Sequence, residues 1–196
     1  MLTIGMLGGM SWESSAEYYR LVNEFVGDRL GGLRSARCVL VSVDFAEIER
    51  LQATGDWDKA AAVLARAARR VEAGGADLLV LCTNTMHKVA AQVQAAVTIP
   101  QLDLADVTAE AVLAAGLTTI GLLGTAVTME QAFYRDRLAS HGRTVLVPTA
   151  RTAPRSTRSS RNARQLRTRI RAASGDDVAD LLGRAVLGVK GGGPLG

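Results

Sequence analysis

Leu78–His87, LLVLCTNTMH, is the stretch on which the reading of the chain turns. Five apolar residues, Leu78 to Cys82, run directly into Thr83-Asn84-Thr85, and a helical pattern begins beyond. A strand buried on both faces of a parallel sheet has this uniformly apolar character, because helices cover it from both sides. Such a strand delivers its last side chains to the carboxyl edge of the sheet, the place where ligands of open α/β folds sit.

Working outward, the same unit repeats. Leu2 to Gly8 reads as a short buried strand ending at Gly8-Gly9, and Ser11 opens a helix through Leu30 with Tyr18, Leu21, Val22, Phe25 and Val26 at helical spacing. Cys38 to Val43 is a β-branched second strand, followed by helices over Asp44–Gln52 and Asp56–Ala73. After the third strand come a helix from Thr85 to Val97, a short strand Ile99–Leu104 that Pro100 places at an edge, and a helix over Ala105–Ala115. Thr119–Gly124 and Thr144–Val147 give two more strands around a helix from Met129 to Ser140. Alternation of this kind predicts parallel sheets flanked by helices. The likeness of TIGMLG at Thr3 to TIGLLG at Thr119 divides the chain into two similarly built lobes, 1–116 and 117–148, the second incomplete.

Bulk properties exclude several classes. At 196 residues, 48% apolar and 21% charged, the chain can bury a sizeable core, and no apolar run reaches the ~18 residues of a membrane span. Met1 leads straight into a strand without a signal-like segment, which points to the cytoplasm and away from membranes. Two cysteines, Cys38 and Cys82, with no CxxC pair, and two histidines, His87 and His141, argue against a disulfide framework, zinc or another metal centre. GMLGGM lacks the GxGxxG spacing, and no P-loop lysine follows, so a bound nucleotide is not expected.

The net charge of +4 comes from one segment. Eight arginines, from Arg151 to Arg171, crowd a stretch without an acidic residue, so the remainder is net negative. Beyond Pro148 the large apolar residues thin out, and 149–196 reads as a divergent, disordered, Arg-rich tail with a last short helix near Asp176–Val189. Such a tail suggests nucleic acid as an alternative partner, but it lacks aromatic residues for base stacking.

At GMLGGMSWESS (5–15), LQATGDWDK (51–59), LCTNTMHKVA (81–90) and LLGTAVTMEQAFY (122–134), the chain resembles the aspartate/glutamate racemases, members of the Asp/Glu/hydantoin racemase superfamily. The resemblance covers about Met1 to Pro148. It implies two α/β lobes with a site between them, homodimers, and racemisation of an acidic amino acid without pyridoxal phosphate, metal or other cofactor. Racemisation needs one group to remove the Cα proton from one face and another to return a proton to the other face, and tuned thiols suit this.

The resemblance places Thr83 at the leading position of the C-N-T-x-H motif, where many relatives carry cysteine; Cys82 lies one residue earlier. Consecutive strand residues face opposite ways, so the two should not both meet one substrate; the motif frame favours Thr83 as the proton-transfer position, with Cys82 the alternative. Asn84 and Thr85 would hold the substrate carboxylate, Met10 would line the pocket through its backbone, and Gln52 would reach the second carboxylate. Thr125 and Thr128 are possible donors from the second lobe, and His87 a group that tunes the site. The family's second catalytic cysteine lies in a G-C-T-E stretch that is missing here, and no cysteine follows Cys82. The expectation is therefore a racemase of doubtful activity, with a segment after Pro148 that is replaced or read out of frame. The alternative is an inactive racemase-like binder of an acidic amino acid.

Overall fold

The computed structural model describes residues 1–122 and 126–147. Two compact units form, one over Met1–Leu102 and the other beginning at Asp103. The residues of the expected tail, those of the short helix expected near Asp176–Val189, and Thr125 lie outside the described residues.

The first unit is a parallel sheet of four strands, β1 (Thr3–Gly8), β2 (Arg37–Ser42), β3 (Leu78–Leu81) and β4 (Gln101–Leu102), in the order β2-β1-β3-β4. Five of the six β1 residues and all of β3 are buried, the signature of central strands covered on both faces. The register sets Ile4 against Cys38 and Leu78, and Leu7 against Val41 and Leu81. Strand β4 is the edge that Pro100 foretold, and the Pro100 carbonyl still accepts from Leu79 N–H at 2.8 Å.

Around the sheet run α1 (Trp12–Leu30), α2 (Phe45–Ala53), α3 (Trp57–Ala73) and the short α4 (Ala90–Gln94). Helix α3 buries Ala60, Ala61, Leu64, Ala67, Ala68 and Val71, a stripe of mostly small residues that lets the helix lie close to the sheet. Gly5 makes that approach possible, because an added Cβ would collide with Val71 and come within 2.8 Å of Ala76 Cβ and Leu78 O. Leu7, Ile48, Leu51, Leu64, Leu79, Leu81, Met86 and Val93 complete this core. Each such large side chain contributes roughly 1.5–3 kcal/mol on burial. On α1, Ser15, Val22 and Val26 are buried, with Tyr18, Leu21 and Phe25 half-buried beside them. Asp44 and Asp103 cap α2 and α5 (Leu104–Ala114), accepting from Ala46 and Ala105 N–H at 3.0 and 2.8 Å.

Glu72 clamps the last crossover. Its Oε1 accepts from Thr98 Oγ1 at 2.6 Å, Thr98 N–H at 2.7 Å and Ile99 N–H at 3.1 Å. The Thr98 hydroxyl, then the backbone amides, hold this carboxyl below its ordinary value. A depressed carboxylate pKa supports the fold above the unfolded value, about 4.3, and that support is lost as pH falls through the folded value. Glu72→Gln is therefore expected to lower the urea midpoint at pH 7, with the gap to wild type narrowing towards pH 3. A gap independent of pH would assign the loss to packing alone.

The second unit pairs β5 (Thr119–Gly121) with β6 (Thr144–Leu146) in parallel and carries α5, α6 (Ala126–Glu130) and α7 (Ala132–Ser140). Its core joins Ala105, Ala109, Tyr134 and Leu138, with Ile120, Leu122 and Val145 against them. Asp106 on α5 binds Arg137 of α7 through two bonds of 2.5 and 2.6 Å and His141 Nε2 at 2.9 Å. These contacts group α5 with the second unit, so the division falls near residue 102, ahead of the sequence boundary at 116.

Three elements differ from the reading of periodicity. The helix expected from Thr85 begins as a 3₁₀ turn, Thr85–Val89, before becoming α4. The helix expected over Met129–Ser140 is two, broken at Gln131 where the backbone is extended (φ −87°, ψ 146°). Ser11 stands at the N-cap position of α1 with the right backbone, but its side chain makes no capping bond. No helix among the described residues is long and apolar enough to cross a membrane.

Candidate active site

The carboxyl ends of β1 and β3 lie side by side, tied by Cys82 N–H donating to Leu7 O at 3.0 Å. Beyond β1, Gly9 has φ +93°, and an added Cβ there would strike the Val43 carbonyl and lie 2.6 Å from Val43 N and 2.7 Å from Ser42 Oγ. The turn is fastened on both sides. Gly8 O accepts from Val43 N–H at 3.0 Å, while Gly9 N–H donates to Ser15 Oγ at 2.9 Å and Ser15 Oγ donates to Ser11 O at 3.1 Å. Met10 follows with its side chain in the core, 5% exposed, so what it can offer a ligand is backbone.

At the end of β3 the two candidate proton-transfer residues part company. Cys82 is fully buried and its thiol faces Val80 O at 4.0 Å. Burial, with a smaller contribution from Cys38, pushes the thiol up to about 12, so it stays protonated at neutral pH. Thr83 then leaves the strand in a tight bend, its N–H donating to Leu81 O at 2.9 Å, and its side chain is half-buried at the lip. Among the described residues nothing hydrogen-bonds the Thr83 hydroxyl. Asn84 is exposed and precedes the 3₁₀ turn without a side-chain cap, its carbonyl accepting from His87 N–H at 3.1 Å; Thr85 is half-buried.

Gln52, near the end of α2, reaches this turn: its Nε2 lies 3.0 Å from Sδ of the fully buried Met86. Lys88 Nζ stands 3.9 Å over the Trp57 ring, fixing the turn against the start of α3. His87 is buried and its Nδ1 lies 2.7 Å from Thr83 O. Thr83, Asn84, Thr85 and Gln52 are thus gathered at one loop of the first unit, with Met10 on the adjacent strand end. Thr128 is 2% exposed on α6 of the second unit.

Two contributors escaped the sequence reading. Ser15 lies in α1 as the helical pattern expects, and its place four after Ser11 lets its hydroxyl turn back to the start of the helix and the β1 turn. Met86 was only the variable position of the motif. A concavity of about 290 Å³ lies beside the end of β2, lined by Val41, Val43, Asp44, Glu47, Arg66 and Arg70 among others. No group of three or more His, Cys, Asp or Glu among the described residues is placed to hold a metal ion.

Comparison with known proteins bears on the family and the fold. The family model for Asp/Glu/hydantoin racemases matches residues 7–188, continuing past Pro148. A Yersinia pestis protein provisionally assigned as an Asp/Glu racemase has a similar structure, with 43% identity and TM-score 0.76 over 96% of this chain and 80% of its own. An aspartate racemase homologue from Pyrococcus horikoshii shares 29% identity, with TM-score 0.70, over 88% and 71% of the two chains. The Picrophilus torridus aspartate racemase, at 16% identity and TM-score 0.64 over 96% and 75%, shares the fold. The motif at Thr83, the parallel sheet that presents it and a match over most of the length place this chain in the Asp/Glu/hydantoin racemase family, among the amino-acid racemases.

Proposed function

We propose that this chain binds an acidic amino acid, aspartate or glutamate, at the loop after β3 and exchanges its Cα proton on one face without a cofactor. The observation that carries the reading is the split between Cys82 and Thr83, since only Thr83 reaches the lip beside Asn84, Thr85 and Gln52. The exposed amide of Asn84 and the Thr85 hydroxyl are suited to a substrate carboxylate, and the Gln52 amide to the side-chain carboxylate. Fixed donors there lower the energy of the carbanion by stabilising charge that spreads onto the carboxylate.

The Thr83 hydroxyl makes no hydrogen bond to a base among the described residues. Exchange through it needs the alkoxide: once the hydroxyl proton is lost to solvent, the Thr83 alkoxide takes the Cα proton, the hydroxyl so formed trades that proton with solvent, and the exchanged proton returns to the carbanion on the same face. It is a poor group for removing the Cα proton, because its own proton must leave first. No cysteine after Cys82 is present to serve the opposite face. The expected behaviour is therefore slow exchange in one enantiomer and no inversion. Proton NMR of L- and D-glutamate and L- and D-aspartate in heavy water tests this. Loss of the Cα signal from one enantiomer without appearance of its mirror image is the expected result; rapid inversion would overturn the one-sided mechanism. Binding without any exchange would support the second reading, an inactive racemase-like binding protein, which the missing second cysteine favours. Homodimers and a cytoplasmic location remain part of the proposal.

A further inference from the structure

The 3₁₀ turn after Asn84 leaves one carbonyl to a side chain. In a regular α-helix Thr83 O would accept from the N–H of His87, four residues on. Here His87 N–H goes to Asn84 O at 3.1 Å, and Thr83 O is instead taken by His87 Nδ1 at 2.7 Å. A carbonyl oxygen only accepts, so Nδ1 must carry a proton. The peptide between Thr83 and Asn84 is trans, so its N–H points away from its carbonyl. With the carbonyl drawn inward to a buried imidazole, the Asn84 N–H is turned outward, and among the described residues it has no hydrogen-bond partner.

We infer that His87 is a positioning residue: its Nδ1–H fixes the Thr83–Asn84 peptide plane, and so aims the Asn84 N–H at the substrate carboxylate while holding the Thr83 side chain at the lip. This rests on the substrate reading above. His87 takes no proton from the substrate in this role. Its Nδ1–H persists whether the ring is neutral or charged, so the latch operates on both sides of the imidazole titration.

The tautomer tests the latch without any turnover. Long-range ¹⁵N–¹H spectra of the full chain at pH 8 should show His87 Nδ1 protonated; a bare Nδ1 would overturn the proposal. Two variants then separate positioning from packing. In His87→Asn the amide N–H₂ can replace Nδ1–H, whereas in His87→Gln the amide reaches the Nε2 position. Glutamate and aspartate affinity, measured by titration calorimetry, should fall about tenfold in His87→Gln and stay close to wild type in His87→Asn. The pH profile of binding between pH 6 and 8 should keep its shape in His87→Asn. Equal weakening in both variants, or a displaced pH profile in His87→Asn, would overturn the inference. Should wild type bind neither amino acid, the substrate reading fails separately. The latch is then judged on the tautomer and on the Asn84 amide resonance, which should move in His87→Gln and hold in His87→Asn.

Discussion

Thr83→Ala is expected to abolish Cα exchange, by about 10²–10⁴-fold, the range over which a positioned proton-transfer group acts. The fold should hardly notice. Thr83 is half-exposed, and its hydroxyl has no hydrogen-bond partner among the described residues, so the change in stability should stay within about 0.5 kcal/mol. Thr83→Cys should act in the opposite direction. A thiol with an ordinary pKa of about 8.5 yields a usable fraction of thiolate near neutrality, whereas an alcohol does not. That variant should exchange the same enantiomer faster than wild type. Cys82→Ala is the control: its thiol is fully buried and held protonated by burial, so exchange should persist. Rates measured by proton NMR in heavy water decide between the two neighbours. Loss of exchange in Cys82→Ala with retention in Thr83→Ala would reverse the assignment.

Gly9→Ala is expected to cause the largest loss of stability among single-methyl changes in the first unit, about 3 kcal/mol or more. Two penalties act together. A side chain at φ +93° occupies a backbone region that costs roughly 1–3 kcal/mol for a non-glycine residue. The new methyl also meets backbone atoms of Val43 and not the tip of a flexible side chain, and overpacking of this kind adds about 1–3 kcal/mol. The neighbouring tie from Val43 N–H to Gly8 O, 3.0 Å long, would have to give way for the methyl to fit. Urea unfolding followed by circular dichroism should show a lower midpoint with little change in slope. Gly55→Ala is the matched control, having φ +74° but open space around it, and should lose only the backbone penalty. Equal losses at both positions would mean that the contact with Val43 carries no cost.

The two positions differ in how far they can be read from the residues. Gly8-Gly9 at the end of a strand announces a sharp turn, but nothing local says that its Cβ space is occupied by the end of β2. That contact joins residues more than thirty positions apart. Likewise strand alternation predicts that Cys82 and Thr83 do not share a face, and it is the motif frame of the resemblance that points to Thr83. The sequence does not say which of the two faces is sealed. The register of β3 on β1 does so, because it fixes Leu81 in the core and Cys82 against the neighbouring strand. The expected long helix after Thr85 did not form in full, since helical spacing is blind to a side chain that competes for a backbone carbonyl.

Local apolar periodicity and the strand-end signals were enough to give the α/β class, the parallel sheets, the two lobes and the loop that carries Thr83, Asn84 and Thr85. They were enough because burial on two faces leaves its mark on every residue of a central strand. Where α5 belongs, which thiol is inert, how Gln52 meets the Met86 turn and what His87 holds were all settled by long-range packing. The physical reason is the same in each case. Hydrogen-bond partners and desolvation are properties of the neighbours that folding brings together, and those neighbours are set by sheet register and helix docking, to which spacing along the chain is insensitive.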